Sequence, residues 1–96
     1  MGLLRYNAKR DVTETAIIKA LKSAGASVER LSARNVPDLL VGLRGKNYLI
    51  EVKSPKGKLT MGQKEWHQNW NASVYTISSV EETLNFLYDI TANKKK

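Results

Sequence analysis

The sequence predicts an α/β fold, a mixed β-sheet flanked by helices, and three observations point there. Apolar residues recur at helical spacing in three separate stretches, and an alternating run from Tyr48 to Lys53 closes a hairpin. Turn and cap residues then order the elements as helix, strand, hairpin, helix, strand, helix. With 96 residues the chain supports one thin core, so residues 1–96 read as a single domain.

Asp11 followed by Glu14 reads as a capping box, after which Ile17, Ile18, Leu21 and Ala24 keep helical spacing until Gly25. Residues 26–31 read as a short first strand. Leu39-Leu40-Val41 leads into the turn Arg44-Gly45-Lys46-Asn47 and on into the run from Tyr48 to Lys53. If the hairpin turns between Gly45 and Lys46, paired residue numbers total 91, which sets Asp38 opposite Lys53 and diagonal to Glu51. Side chains alternate along a strand, so Tyr48, Ile50 and Val52 share one face, and Leu49, Glu51 and Lys53 the other. Pro55 and Gly57 mark a loop. Thr60 with Gln63 then caps a second helix, whose Trp66 and Trp70 are expected to cover a sheet face. Residues 73–77 read as a strand. Ser79 with Glu82 caps a last helix with Val80, Leu84, Leu87 and Ile90 inward, and residues 93–96 read as a flexible basic tail.

The absence of cysteine removes disulfides, thiolate ligands and a cysteine nucleophile together. No apolar run approaches the roughly 18 residues of a membrane span, and Arg5 interrupts any signal-peptide core, so an intracellular protein is expected. A net charge of +7 suits a polyanionic partner, nucleic acid being the commonest.

Glu14 lies within about 60° of Ile17, Ile18 and Leu21 on the helix wheel, which puts a carboxylate on the apolar side. A carboxylate there needs a cation or several donors. Glu14, Asp38 and Glu51 converging beside Lys53 would repel one another without a metal, and hard oxygen ligands favour Mg²⁺ or Mn²⁺. Each piece has a plainer reading. A strand Glu-x-Lys is commonly a solvated pair, Asp38 after Pro37 can be a turn residue, and Gln63 can serve its cap alone. Trp66 and Trp70 read as core, with base stacking the alternative, and His67 as a partly exposed polar residue, with general-acid duty the alternative.

The spacing Pro37-Asp38, twelve residues, then Glu51-Val52-Lys53 resembles the signature of the PD-(D/E)xK nucleases, whose core is restriction-endonuclease-like. With Glu14, the run Lys56-Gly57-Lys58-Leu59-Thr60-x-x-Gln63-x-x-Trp66 and Ser79-x-Glu81-Glu82, nearly the whole chain resembles the virus-type replication-repair nuclease domain, VRR-NUC. That resemblance implies a DNA endonuclease using Mg²⁺ or Mn²⁺, held by Glu14, Asp38, Glu51 and the Val52 carbonyl. It also implies Lys53 as the catalytic lysine and Gln63 as the glutamine beside the metal. Short stand-alone members are similar to virus-encoded homodimers that cut four-way (Holliday) junctions, which implies action in the cytoplasm of a bacterial host if the chain is phage-encoded. Other members act on flaps, and a non-catalytic DNA-binding module of the same fold is the rival from another class. Val36 and Asn71-Ala72 stand where the family often has glycine, which affects backbone turns and no proposed ligand.

Lys56 and Lys58, directly after the catalytic strand, are placed to hold DNA phosphates. Arg5, Lys9 and Arg10 form a basic N-terminal arm, and Arg44, Arg30 and Arg34 could extend the surface; solvated charge is the alternative for each.

Overall fold

The computed structural model describes the backbone of residues 2–54 and 56–93, and side chains of residues 12–54 and 56–92. The side chains of Arg5, Lys9 and Arg10 and the tail 94–96 lie outside the described residues.

Helix α1 spans Gly2–Ser23 and so passes through Asp11, the expected cap. Between Gly2 and Gly25 the sequence holds no glycine or proline, and Leu, Ala, Lys and Arg dominate residues 3–10, so nothing local stops the helix at Asp11. Glu14 is therefore an interior residue of α1. The helix ends as the sequence predicts. Gly25, at φ 93°, donates to the Lys22 carbonyl at 2.9 Å, while the Ala26 N–H reaches back to Leu21 at 3.1 Å. This is a Schellman termination, with Ala26 and Leu21 both buried beneath it.

Strands β1 (Ser27–Arg30), β2 (Leu39–Leu43), β3 (Lys46–Val52) and β4 (Val74–Ile77) form one sheet in that order. The first three are antiparallel, and β4 runs parallel to β3 after a crossover through helix α2 (Met61–Asn69). Helix α3 (Val80–Asn93) follows β4.

The hairpin between β2 and β3 turns on Arg44 and Gly45, not between Gly45 and Lys46. Both residues have positive φ, 54° and 81°, the two-residue turn whose twist matches that of the strands. Leu39 pairs with Ile50 and Leu43 with Lys46, so paired numbers total 89 and the expected register is displaced by two residues. A displacement of two leaves every side chain on its expected face.

One sheet face carries Leu39, Val41, Ile50, Val52 and Ile77, packed against Ile17 and Leu21 of α1 and Phe86 and Ile90 of α3. Tyr48 and Tyr75 close this core edge-on against Phe86, at centroid distances of 5.5 and 4.9 Å. The inward side of α3 differs from the expected one: Val80 and Leu84 are exposed, and Thr83 and Phe86 are buried instead. Thr83 is tolerated there because its hydroxyl donates to the Ser79 carbonyl at 2.9 Å. The Ser79 hydroxyl accepts from the Glu82 N–H as expected, but the Glu82 carboxylate accepts from Ser78 through both its N–H and its hydroxyl. The other face carries Leu40, Leu49 and Glu51 and lies beneath α2. Among the described residues no helix is long and apolar enough to cross a membrane.

Candidate active site

Carried one residue past Leu39 and Ile50, the hairpin register sets Asp38 opposite Glu51 rather than opposite Lys53. Directly opposed residues have Cα atoms about 4.5–5.5 Å apart, closer than the diagonal placement expected. The ends of the two arms are tied by these residues themselves. Asp38 Oδ2 accepts from the Val52 N–H at 2.8 Å, and the Asp38 carbonyl accepts from Leu31 N–H at 2.8 Å. Asp38 is half-buried behind a fully buried Pro37, and Glu51 has no exposed surface.

Helix α2 supplies the remaining groups. Thr60 caps it, its hydroxyl accepting from Gln63 N–H at 3.1 Å while Gln63 Oε1 accepts from Thr60 N–H at 2.9 Å. The same Oε1 accepts from Lys53 Nζ at 3.0 Å, and Gln63 Nε2 donates to Glu51 Oε2 at 3.2 Å. The cap and the site therefore share one amide, whereas the sequence reading treats them as alternatives. One turn further on, His67 places Nε2 3.5 Å from Glu51 Oε1, with only 15% of its side chain exposed. Burial, and secondarily the Lys53 ammonium, hold the His67 pKa below the ordinary imidazole value of 6.5. The neutral ring dominates at pH 7, so the approach to Glu51 is not an ion pair there.

His67 is the residue that sequence reasoning underrated. Its signal was available: four residues after Gln63 on a helix, it lies on the same face. Glu14 is buried as expected, at 8% exposure, but its Oε2 contacts Arg30 Nε at 3.1 Å. Arg30 comes from β1, and no local pattern announces that pairing.

The donor chemistry at the strand ends suits a hard cation, because the fully buried Glu51 carboxylate adjoins Val52, whose N–H the Asp38 carboxylate accepts, and all candidate ligands are oxygens. Among the described residues, however, no three acidic or histidine side chains stand close enough to hold an ion together. Lys56 and Lys58 are exposed in the segment joining β3 to α2. Arg44 is exposed at the hairpin turn, roughly 20 Å from Glu51 along β3 at strand rise, so the fold does not bring it to the carboxylates.

Trp66 and Trp70 are not core. No residue of α2 is buried, and Trp70 is 46% exposed. The two rings stack on each other at 4.7 Å with 16° between their planes.

These features define an α/β protein in which three helices flank a mixed four-stranded sheet, with two carboxylates, a lysine and a glutamine gathered at one end of its central hairpin. Among solved structures it is similar to one described as a "VRR_NUC domain", with a TM-score of 0.73 and 25% identity over 83% of this chain and 95% of that one. No protein-family profile matches the chain, and no curated protein does. The chain thus has the fold of a VRR_NUC domain, a fold that suggests nuclease chemistry.

Proposed function

We propose that the chain is a Mg²⁺- or Mn²⁺-dependent DNA endonuclease of the PD-(D/E)xK type that cuts four-way junctions as a homodimer. The Gln63 amide joining Glu51 to Lys53 is the observation that carries this reading. A merely structural Glu-x-Lys on a strand would be solvated. Here the glutamate is fully buried and the lysine is held by the amide that also holds the glutamate.

Asp38, Glu51 and the Val52 carbonyl would hold the cation, with Glu14 joining them on leaving Arg30. A divalent ion there supplies positive charge against the phosphate oxygens as the phosphodiester is attacked. Lys53 directs its ammonium toward the same developing charge, and Gln63 fixes that ammonium in place. Lys56 and Lys58 adjoin this end of the sheet and bind the neighbouring phosphates. Arg5, Lys9, Arg10 and Arg44 extend the contact to more distant parts of the DNA. A junction must be cut on two opposed strands, and one chain offers one site, which motivates the dimer.

The test is a panel of four-way junction, flap and linear duplex incubated with Mg²⁺ or Mn²⁺. The expected outcome is preferential junction cutting by a two-chain species, reduced by about 10²–10³-fold in Lys53→Ala. Equal cutting of all three substrates would leave a flap- or duplex-acting nuclease. The hold of Arg30 on Glu14 favours a second reading, a non-catalytic DNA-binding module, which predicts metal-independent retention of DNA and no product.

A further inference from the structure

We propose that Trp66 and Trp70 wall a nucleobase-binding groove beside the candidate active site, and that its occupant is one unpaired base of a DNA strand lying across that site. The position of the strand rests on the nuclease reading above; the groove itself does not.

The stacked pair stands at the C-terminal end of a helix with no buried residue. Burying a large apolar side chain is favourable, yet Trp70 stands 46% exposed. The pair borders an open groove of about 490 Å³, within the roughly 300–1,000 Å³ typical of ligand sites. Its floor includes Leu40 and Leu49, a directly opposed pair of the hairpin. Asp38 and Glu51 lie two residues further along the same face, about 7 Å away at strand rise, so the groove runs on from the carboxylates.

The polarity of the groove selects the occupant. Among the described residues no charged side chain lines it, while Asn47 and Ser73 offer an amide and a hydroxyl suited to base edges. Lys53 lies beyond one end, past Glu51 and on the same sheet face, where a phosphate of the strand carrying an inserted base would fall. A second copy of the chain would bring the same excess of positive charge, whereas a nucleic acid brings the opposite sign. Stacking a base on an aromatic ring contributes about 1–3 kcal/mol for any base, so the groove would favour branched or bulged DNA without reading sequence.

The test uses metal-free protein and a duplex carrying one unpaired 2-aminopurine, compared with the same duplex carrying an abasic site. Wild type should quench the fluorescent base and prefer it over the abasic duplex by about 5- to 150-fold. Trp70→Leu should lose the quench and the preference, and Trp70→Phe should keep part of each. Equal affinity of wild type for the two duplexes overturns the proposal whether or not the variants fold, as does an undiminished preference in a folded Trp70→Leu. Loss of the quench and of the base preference as protein concentration is raised would place a second copy in the groove, and also overturns it. A quench with no Mn²⁺-dependent cleavage would remove the nuclease reading and keep the base site. Cleavage with no base preference would do the reverse.

Discussion

Gln63 shows how one side chain can serve a helix cap and a buried polar cluster together. Its carbonyl oxygen has two lone pairs, which receive the Thr60 N–H and the Lys53 ammonium, while its amide nitrogen faces a carboxylate. The opposite orientation would set its NH₂ against two donors, so the network itself fixes which way the amide points. His67 carries a pH prediction. Its folded pKa lies below 6.5, so as pH falls the unfolded chain binds the proton first. The stability contributed by the neutral ring is present above pH 6.5 and is lost as pH drops through 6.5 toward the folded value. It is the single histidine, so one imidazole signal followed by NMR in metal-free protein should titrate below 6.5; a midpoint at or above 6.5 would mean Glu51 outweighs burial and Lys53. At this scale the sequence displays what depends on alternation or helical spacing: Asp38, Glu51 and Lys53 on one face, and Gln63 above them. It does not display Arg30 beside Glu14, because that contact joins α1 to β1 through tertiary packing.

Among the elements, the hairpin places the site and its turn is not optimal. Arg44 adopts φ 54°, a conformation that costs an ordinary side chain about 1 kcal/mol and that asparagine tolerates well. Arg44→Asn should therefore raise unfolding free energy by roughly 0.5–1 kcal/mol in urea titration. An unchanged midpoint would mean the arginine makes a compensating contact. Helix α3 was harder to read because it carries two apolar stripes: Val80, Leu84 and Tyr88 face water, while Phe86 and Ile90 face the sheet. Periodicity alone cannot choose between them. The choice falls to Phe86, which completes the ring cluster with Tyr48 and Tyr75, and to Thr83, whose hydroxyl is satisfied within the helix. The start of α1 was misread for a related reason, since a capping pattern permits a helix end without compelling one.

Across the whole molecule the two sheet faces are secured differently. The face toward α1 and α3 buries a continuous aliphatic core, whereas α2 is held by its contacts to Glu51 and Lys53 and by a half-exposed tryptophan pair. Little apolar burial means little cost to detach, so amide hydrogen exchange over residues 61–69 should be markedly faster than over 39–43 and 46–52. Protection of α2 equal to that of the central strands would show that its docking matches the core in strength. The α/β class and the element order were legible because each element carries its own period and punctuation. The unequal attachment of the helices was not, since it depends on which surfaces meet.

The two-residue turn has a consequence for how this chain tolerates insertions and deletions. Asp38 and Glu51 belong to opposite arms of one hairpin, so the number of residues between them acts as a parity constraint on the site. One residue added to either arm inverts the phase of everything beyond it and sends one carboxylate into the aliphatic layer. Two added together restore the phase and merely lengthen the ribbon.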